Sequence, residues 1–103
     1  MDEEKQTKSL ITVRIELFGT ARTVCSRRHV DVELPERTRA SEMAAALAEK
    51  CPEVLGKVVL EDASGLQKSF IFNLNGTSFV DGEEELALKP GDFILLFSSL
   101  AGG

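Results

Sequence analysis

Few residues in this chain are of types and spacings that do chemistry. The sequence ends Leu100-Ala101-Gly102-Gly103. Its terminal carboxylate therefore sits on two residues with no Cβ, and such a backbone can enter a narrow channel and bring the carboxylate close to a nucleotide. Fully extended, the six residues from Ser98 to Gly103 reach roughly 20 Å, enough to put the terminus inside a partner's active site while a folded body docks outside. Cys25 and His29 stand four apart. A Cys-His pair is a nucleophile candidate only with a third group to orient it, and none is visible. Cys51 reads as a buried small hydrophobe, and both thiols as reduced, since two cysteines are too few for a disulfide framework. The stretch "GTSFVDG" lacks the lysine and the strand-to-helix context of a phosphate loop. The carboxylates of "EDASG" and "DGEEE" lack the ligand alternation of a calcium loop and read as solvated charge. No metal site and no catalytic residue of the chain's own is expected.

The elements that must carry the terminus are legible as periodicities. In "LITVRIELF", Ile11, Val13, Ile15 and Leu17 alternate with Thr12, Arg14 and Glu16, the pattern of a half-buried strand. "HVDVELP" repeats it with Val30, Val32 and Leu34, and Pro35 closes it. The intervening "GTARTVCSRR" is polar and starts at Gly19, so the two strands are expected to form a hairpin with a long loop. Then the period changes. Ala40, Met43, Ala44, Leu47 and Cys51 share one face of an amphipathic helix, with Thr38 as the expected N-cap and Pro52 as the stop. Val54, Leu55, Val58 and Val59 suggest a short helical turn, and "EDASGLQK" a loop. "SFIFNLNG" is a strand ended by the Asn75-Gly76 turn signal, and "TSFVDG" a short strand. "LKPGD" turns into "FILLF", whose five consecutive apolar residues fit a central strand. Such a strand lies most simply beside the first.

With 103 residues the chain fits one domain with one modest core. Hydrophobic residues are 43% and charged residues 28%, the balance of a folded water-exposed domain. The formal charge of -5 argues against nucleic acid and anionic membranes as partners and suits a basic protein surface. The N-terminal "MDEEKQTK" has no apolar stretch of signal-peptide length behind it, and no run approaches a membrane span. A cytoplasmic location is expected. The domain plan is an arm over residues 1–9, a folded body over 10–97, and a flexible Gly-Gly tail over 98–103.

The strand–strand–helix order, "NLNG" in the third strand, "LKPGD" before a final apolar strand, and the closing "AGG" together resemble the MoaD/ThiS family of ubiquitin-like β-grasp sulfur carrier proteins. The resemblance spans about residues 10–103. It implies an α+β fold: a β-grasp mixed sheet of four to five strands with one main helix packed on one face. It also implies that the chain is a protein co-substrate and not an enzyme, unless it serves as the small subunit of a sulfur-transferring synthase. A ubiquitin-activating-type adenylyltransferase would bind ATP and adenylate Gly103. A sulfur donor enzyme would convert the adenylate to a thiocarboxylate, which an acceptor synthase subunit would consume. Gly103 would carry the sulfur, Gly102 would give access, and Leu100 and Ala101 would thread the tail. No cofactor is bound by the chain itself.

Ser98-Ser99 stands where many molybdopterin-synthase small subunits have two prolines. The "LEDASGLQKSFIFNLNG" stretch and the "LAGG" ending are similar to carriers that feed cysteine biosynthesis, so the receiving pathway stays open. The resemblance also places Ile94 and Leu96 in the core. Phe93, Leu95 and Phe97 then fall on the open face of the sheet, where an exposed apolar patch would dock a partner. Two alternatives remain: a ubiquitin-like modifier conjugated through its C-terminal glycine, and a non-covalent β-grasp adaptor.

Overall fold

The computed structural model describes residues 10–80 and 82–98. The first strand, β1 (Leu10–Leu17), pairs antiparallel with β2 (His29–Pro35), setting Val13 against Val32 and Ile15 against Val30. All four side chains are buried. The alternation thus fixes which face of the hairpin packs inward, because a one-residue slip would turn every apolar side chain to solvent.

A helix, α1 (Gly19–Cys25), occupies the connection expected to be a long loop. Only Ala21 and Cys25 of its seven residues are buried, too few for the apolar stripe by which a helix is read from sequence. Ser26 ends it in the left-handed conformation and donates its N–H to the Arg22 carbonyl. This is the usual way a helix C-terminus is closed.

The short strand β3 (Arg37–Thr38) follows β2, and the main helix α2 (Ala40–Lys50) comes next. Met43, Ala44, Leu47 and Ala48 face the core. The N-cap is Arg39, not Thr38. Glu42 reaches back to accept the Arg39 N–H at 2.8 Å, and the Thr38 hydroxyl donates to the same carboxylate at 3.2 Å. Thr38 is fully buried and held in β3, so it supports the cap without being it. One 3-10 turn, Pro52–Val54, follows α2. The short helical turn expected from Val54, Leu55, Val58 and Val59 thus lies earlier, and Leu55 and Val59 form isolated bridges instead.

The remaining strands are β4 (Phe70–Leu74), β5 (Ser78–Phe79), β6 (Leu86–Ala87) and β7 (Phe93–Ser98). The main sheet has the order β2-β1-β7-β4-β5, and β3 pairs with β6 in a second, two-stranded sheet. As expected from its unbroken apolar run, β7 is central. It lies parallel to β1, with Ile94 opposite Ile15, and antiparallel to β4, with Leu96 opposite Phe72. Ile94 and Leu96 are fully buried, and they join Val13, Ile15, Leu17, Phe72, Met43 and Leu47 in one core between the sheet and α2.

Candidate functional site

The two inner sequence signals of the resemblance meet in space. Asn75 and Gly76 both have positive φ, and the Thr77 N–H returns to the Leu74 carbonyl at 3.0 Å. This is the hairpin turn whose twist matches its strands and which Asn-Gly favours. The Asn75 side chain then leaves the turn. Its Oδ1 accepts the Phe93 N–H at 2.8 Å, and its Nδ2 donates to Asp92 at 3.1 Å. Asp92 in turn accepts the Lys89 N–H at 2.8 Å, closing the Pro90-Gly91 turn. That N–H, with help from Asn75, holds the Asp92 carboxyl below its ordinary value. "NLNG" and "LKPGD" are thus one hydrogen-bonded unit, and it fixes where β7 begins.

Along β7 the side chains alternate. Ile94 and Leu96 enter the core, while Phe93 is exposed and Leu95 and Phe97 are half-buried on the open face, the division implied by the resemblance. The structure adds residues to this face that sequence reasoning missed. Phe18 follows the inward-facing Leu17 and stacks on Phe97 with ring centroids 5.1 Å apart and planes 14° from parallel. Arg22 of α1 lies over the other ring of this pair, 5.5 Å from the Phe18 centroid. From β5, Phe79 meets Phe97 edge-on at 6.3 Å and remains 59% exposed. Ile71 lies opposite Phe97 in the β4–β7 register. Ile71, Phe79, Phe97 and Ser98 line an apolar depression of about 380 Å³. The signal for Phe18 and Ile71 was their place in the period-two alternation. The small size of β5 hid Phe79.

The rest of the open face is polar. Arg14 and Asp31 form an ion pair at 3.0 Å on β1 and β2, which holds the Asp31 carboxyl below its usual range. Asn73 lies between Leu95 and Phe79 in the strand register, is 5% exposed, and its Oδ1 has no hydrogen-bond partner among the described residues. The apolar part of the face lies against β7, on the side toward β5.

The other candidates separate. Cys25 is buried and its Sγ lies 2.7 Å from that of Cys51, whereas His29 is exposed on β2. Both cysteines are free. Burial pushes the Cys25 thiol up to about 12 and raises that of Cys51 as well, so neither carries the thiolate a nucleophile needs. Glu83, in the acidic "DGEEE" stretch, accepts a hydrogen bond from Ser41 at 2.9 Å and ties that loop to the start of α2. Among the described residues no group of three or more His, Cys, Asp or Glu is placed to hold a metal, and no helix is long and apolar enough to cross a membrane. Leu100, Ala101, Gly102 and Gly103 lie outside the described residues. The last residue described, Ser98, ends β7 beside the apolar depression.

No family model matches the sequence, and no curated protein matches it. Solved structures do. The crystal structure of SAMP1 from Haloferax volcanii superposes with a TM-score of 0.70 at 23% identity, covering 89% of this chain and 99% of the other. The chain has the ubiquitin-like β-grasp fold. A putative molybdopterin converting factor, subunit 1, from Pyrococcus furiosus matches with a TM-score of 0.64 at 23% identity over 87% of this chain and 99% of that one. Urm1 from Trypanosoma brucei matches with a TM-score of 0.57 at 12% identity over 94% of this chain and all of that one. The mixed five-strand β-grasp sheet and main helix are thereby as the resemblance implied, with α1 as an addition to it.

Proposed function

We propose that this β-grasp chain is a sulfur carrier. Its C-terminal Gly103 carboxylate is adenylated by a ubiquitin-activating-type enzyme and then converted to a thiocarboxylate. The observation that carries this reading is the placement of β7. The strand is central in the sheet, anchored at its start by Asn75 and Asp92, and it ends beside an apolar aromatic face. The sequence then continues to Gly102-Gly103. A rigid body with a docking face, leading into a tail whose last two residues have no side chain, is what delivery of a terminus into another protein's active site requires. Naming one structural neighbour a molybdopterin converting factor subunit supports the carrier reading.

The chemistry follows from the leaving groups. One oxygen of the Gly103 carboxylate attacks the α-phosphorus of ATP held by the partner, and pyrophosphate leaves. The mixed anhydride with AMP is then a good acceptor where the carboxylate was a poor one. Hydrosulfide delivered by a donor enzyme attacks the carbonyl carbon, AMP leaves, and the terminus ends as a thiocarboxylate, a nucleophilic sulfur on a tether. The chain itself binds no cofactor. Its own contribution is docking through Phe93, Leu95 and Phe97, joined by Phe18 and Phe79, and threading through Leu100, Ala101 and Gly102. Docking in the cytoplasm with an acceptor synthase subunit completes the cycle.

A second reading shares the first step. SAMP1 is named a small archaeal modifier protein, which favours conjugation of the same adenylate to a lysine amine. Both readings are tested by ATP–pyrophosphate exchange with a cognate activating enzyme. The full chain is expected to support exchange, and the chain lacking Gly103 is not. Equal exchange by both would remove the terminus from the account.

A further inference from the structure

We propose that Cys25 and Cys51 are a redox pair that a hydroperoxide converts to an intramolecular disulfide joining α1 to α2. The two residues are 26 apart in sequence, yet their sulfurs stand 2.7 Å from each other. Cys25 is the last residue of α1, and Cys51 immediately follows α2, so the bond would tie the ends of two separate helices. Both side chains are buried, at 5% and 1% exposure. The chain has no other cysteine, so each sulfur has one intramolecular partner. A pair of ordinary core hydrophobes has no need of two sulfurs in contact. The Cys51 thiol also lies 3.2 Å from a Glu53 carboxylate oxygen, to which it can donate.

The step balances with the peroxide as oxidant. Local opening of α1 brings Cys25, the more exposed of the two thiols, into water, where it can lose its proton, and the resulting thiolate attacks the peroxide oxygen. The O–O bond breaks, Cys25 becomes a sulfenic acid, and hydrogen peroxide leaves its other oxygen as water. The Cys51 sulfur then attacks the Cys25 sulfur, the S–O bond breaks, and a second water leaves. Two thiols have lost two protons and two electrons, and the peroxide has been reduced to two waters. Access requires local opening of α1, a helix of seven residues held by two buried side chains. The same helix starts next to Phe18, which stacks on Phe97. A cross-link at its far end therefore stiffens the support of the aromatic face as well as the core.

The test uses the full chain alone, reduced, freed of reductant, and held in excess hydrogen peroxide. Intact mass in denaturant is expected to fall by about 2 Da for the two hydrogens lost. Both thiols become unreactive to maleimide, and one digest fragment links Cys25 to Cys51. Thermal unfolding is expected to move up by roughly 5–15 °C, because the bond closes a long loop in the unfolded chain, and to return with dithiothreitol. Cys51→Ala should show neither the mass loss nor the rise. A monomer that gains about 16 or 32 Da without the loss, a disulfide-linked dimer, or a chain that keeps two reactive thiols would each overturn the proposal.

Discussion

Phe18 and Phe97 stack at 5.1 Å, joining the residue before α1 to the far end of β7 across the open face of the sheet. Neither ring is near the other in sequence, and β1 is what brings them together. It runs parallel to β7, so the residue after Leu17 falls beside the one after Leu96. Phe97→Asp is expected to abolish adenylation by the activating enzyme, because it puts a charge at the centre of the apolar face. The loss of the ring pair should cost about 1–2 kcal/mol of stability and leave the fold intact. Pyrophosphate exchange beside a far-ultraviolet spectrum and a urea titration separates the two effects. Wild-type exchange by the variant would remove this face from the docking account.

Asn75 carries two side-chain hydrogen bonds and a left-handed backbone. Asn75→Ala should therefore cost about 2–4 kcal/mol, the sum of the lost bonds and the strain of a Cβ at positive φ. Asn75→Gly relieves the strain and should cost clearly less. Equal losses in urea unfolding would mean that backbone conformation plays no part here.

Asp92 links stability to pH in a stated direction. Its folded pKa lies below the ordinary 3.8, chiefly because the Lys89 N–H donates to the charged form. A depressed carboxylate contributes stability that is fully present above the unfolded value and is lost as pH falls through the folded one. Wild type should thus lose stability to Asp92 protonation only below about pH 4. The difference between wild type and Asp92→Asn, followed by chemical denaturation, should shrink as pH drops from 6 to about 2.5. A difference independent of pH would contradict the assignment.

Asn73 is a polar residue in an apolar setting, with its Oδ1 buried and unpaired between Leu95 and Phe79. Removing an unsatisfied buried acceptor stabilises a fold. A β-branched residue also suits a strand. Asn73→Val is expected to raise stability by about 1–2 kcal/mol in urea unfolding. A loss instead would show that the amide is satisfied in solution.

What the sequence showed and hid follows from distance along the chain. β1, β2 and α2 were legible because each places its buried residues at its own period, as with Val13 and Ile15 or Met43 and Leu47, and β7 because of its unbroken apolar run. It was the family resemblance, not periodicity, that placed Phe93, Leu95 and Phe97 on the open face. α1 was not legible, because two buried residues in seven make no stripe. Thr38 looked like a cap because its hydroxyl does serve α2, but it reaches the helix through Glu42. The Cys25–Cys51 contact and the Phe18–Phe97 stack leave no mark in any local window, since tertiary packing alone creates them.

The central claim is that Gly103 leaves this protein's chemistry carrying sulfur. Intact mass spectrometry of the full chain, after incubation with ATP, a cognate activating enzyme and a sulfur donor, tests it most directly. The account predicts a gain of about 16 Da, one oxygen replaced by sulfur, located on the C-terminal fragment and absent when Gly103 is deleted. Lysine conjugates in place of that gain, or an unchanged mass alongside active pyrophosphate exchange, would contradict it.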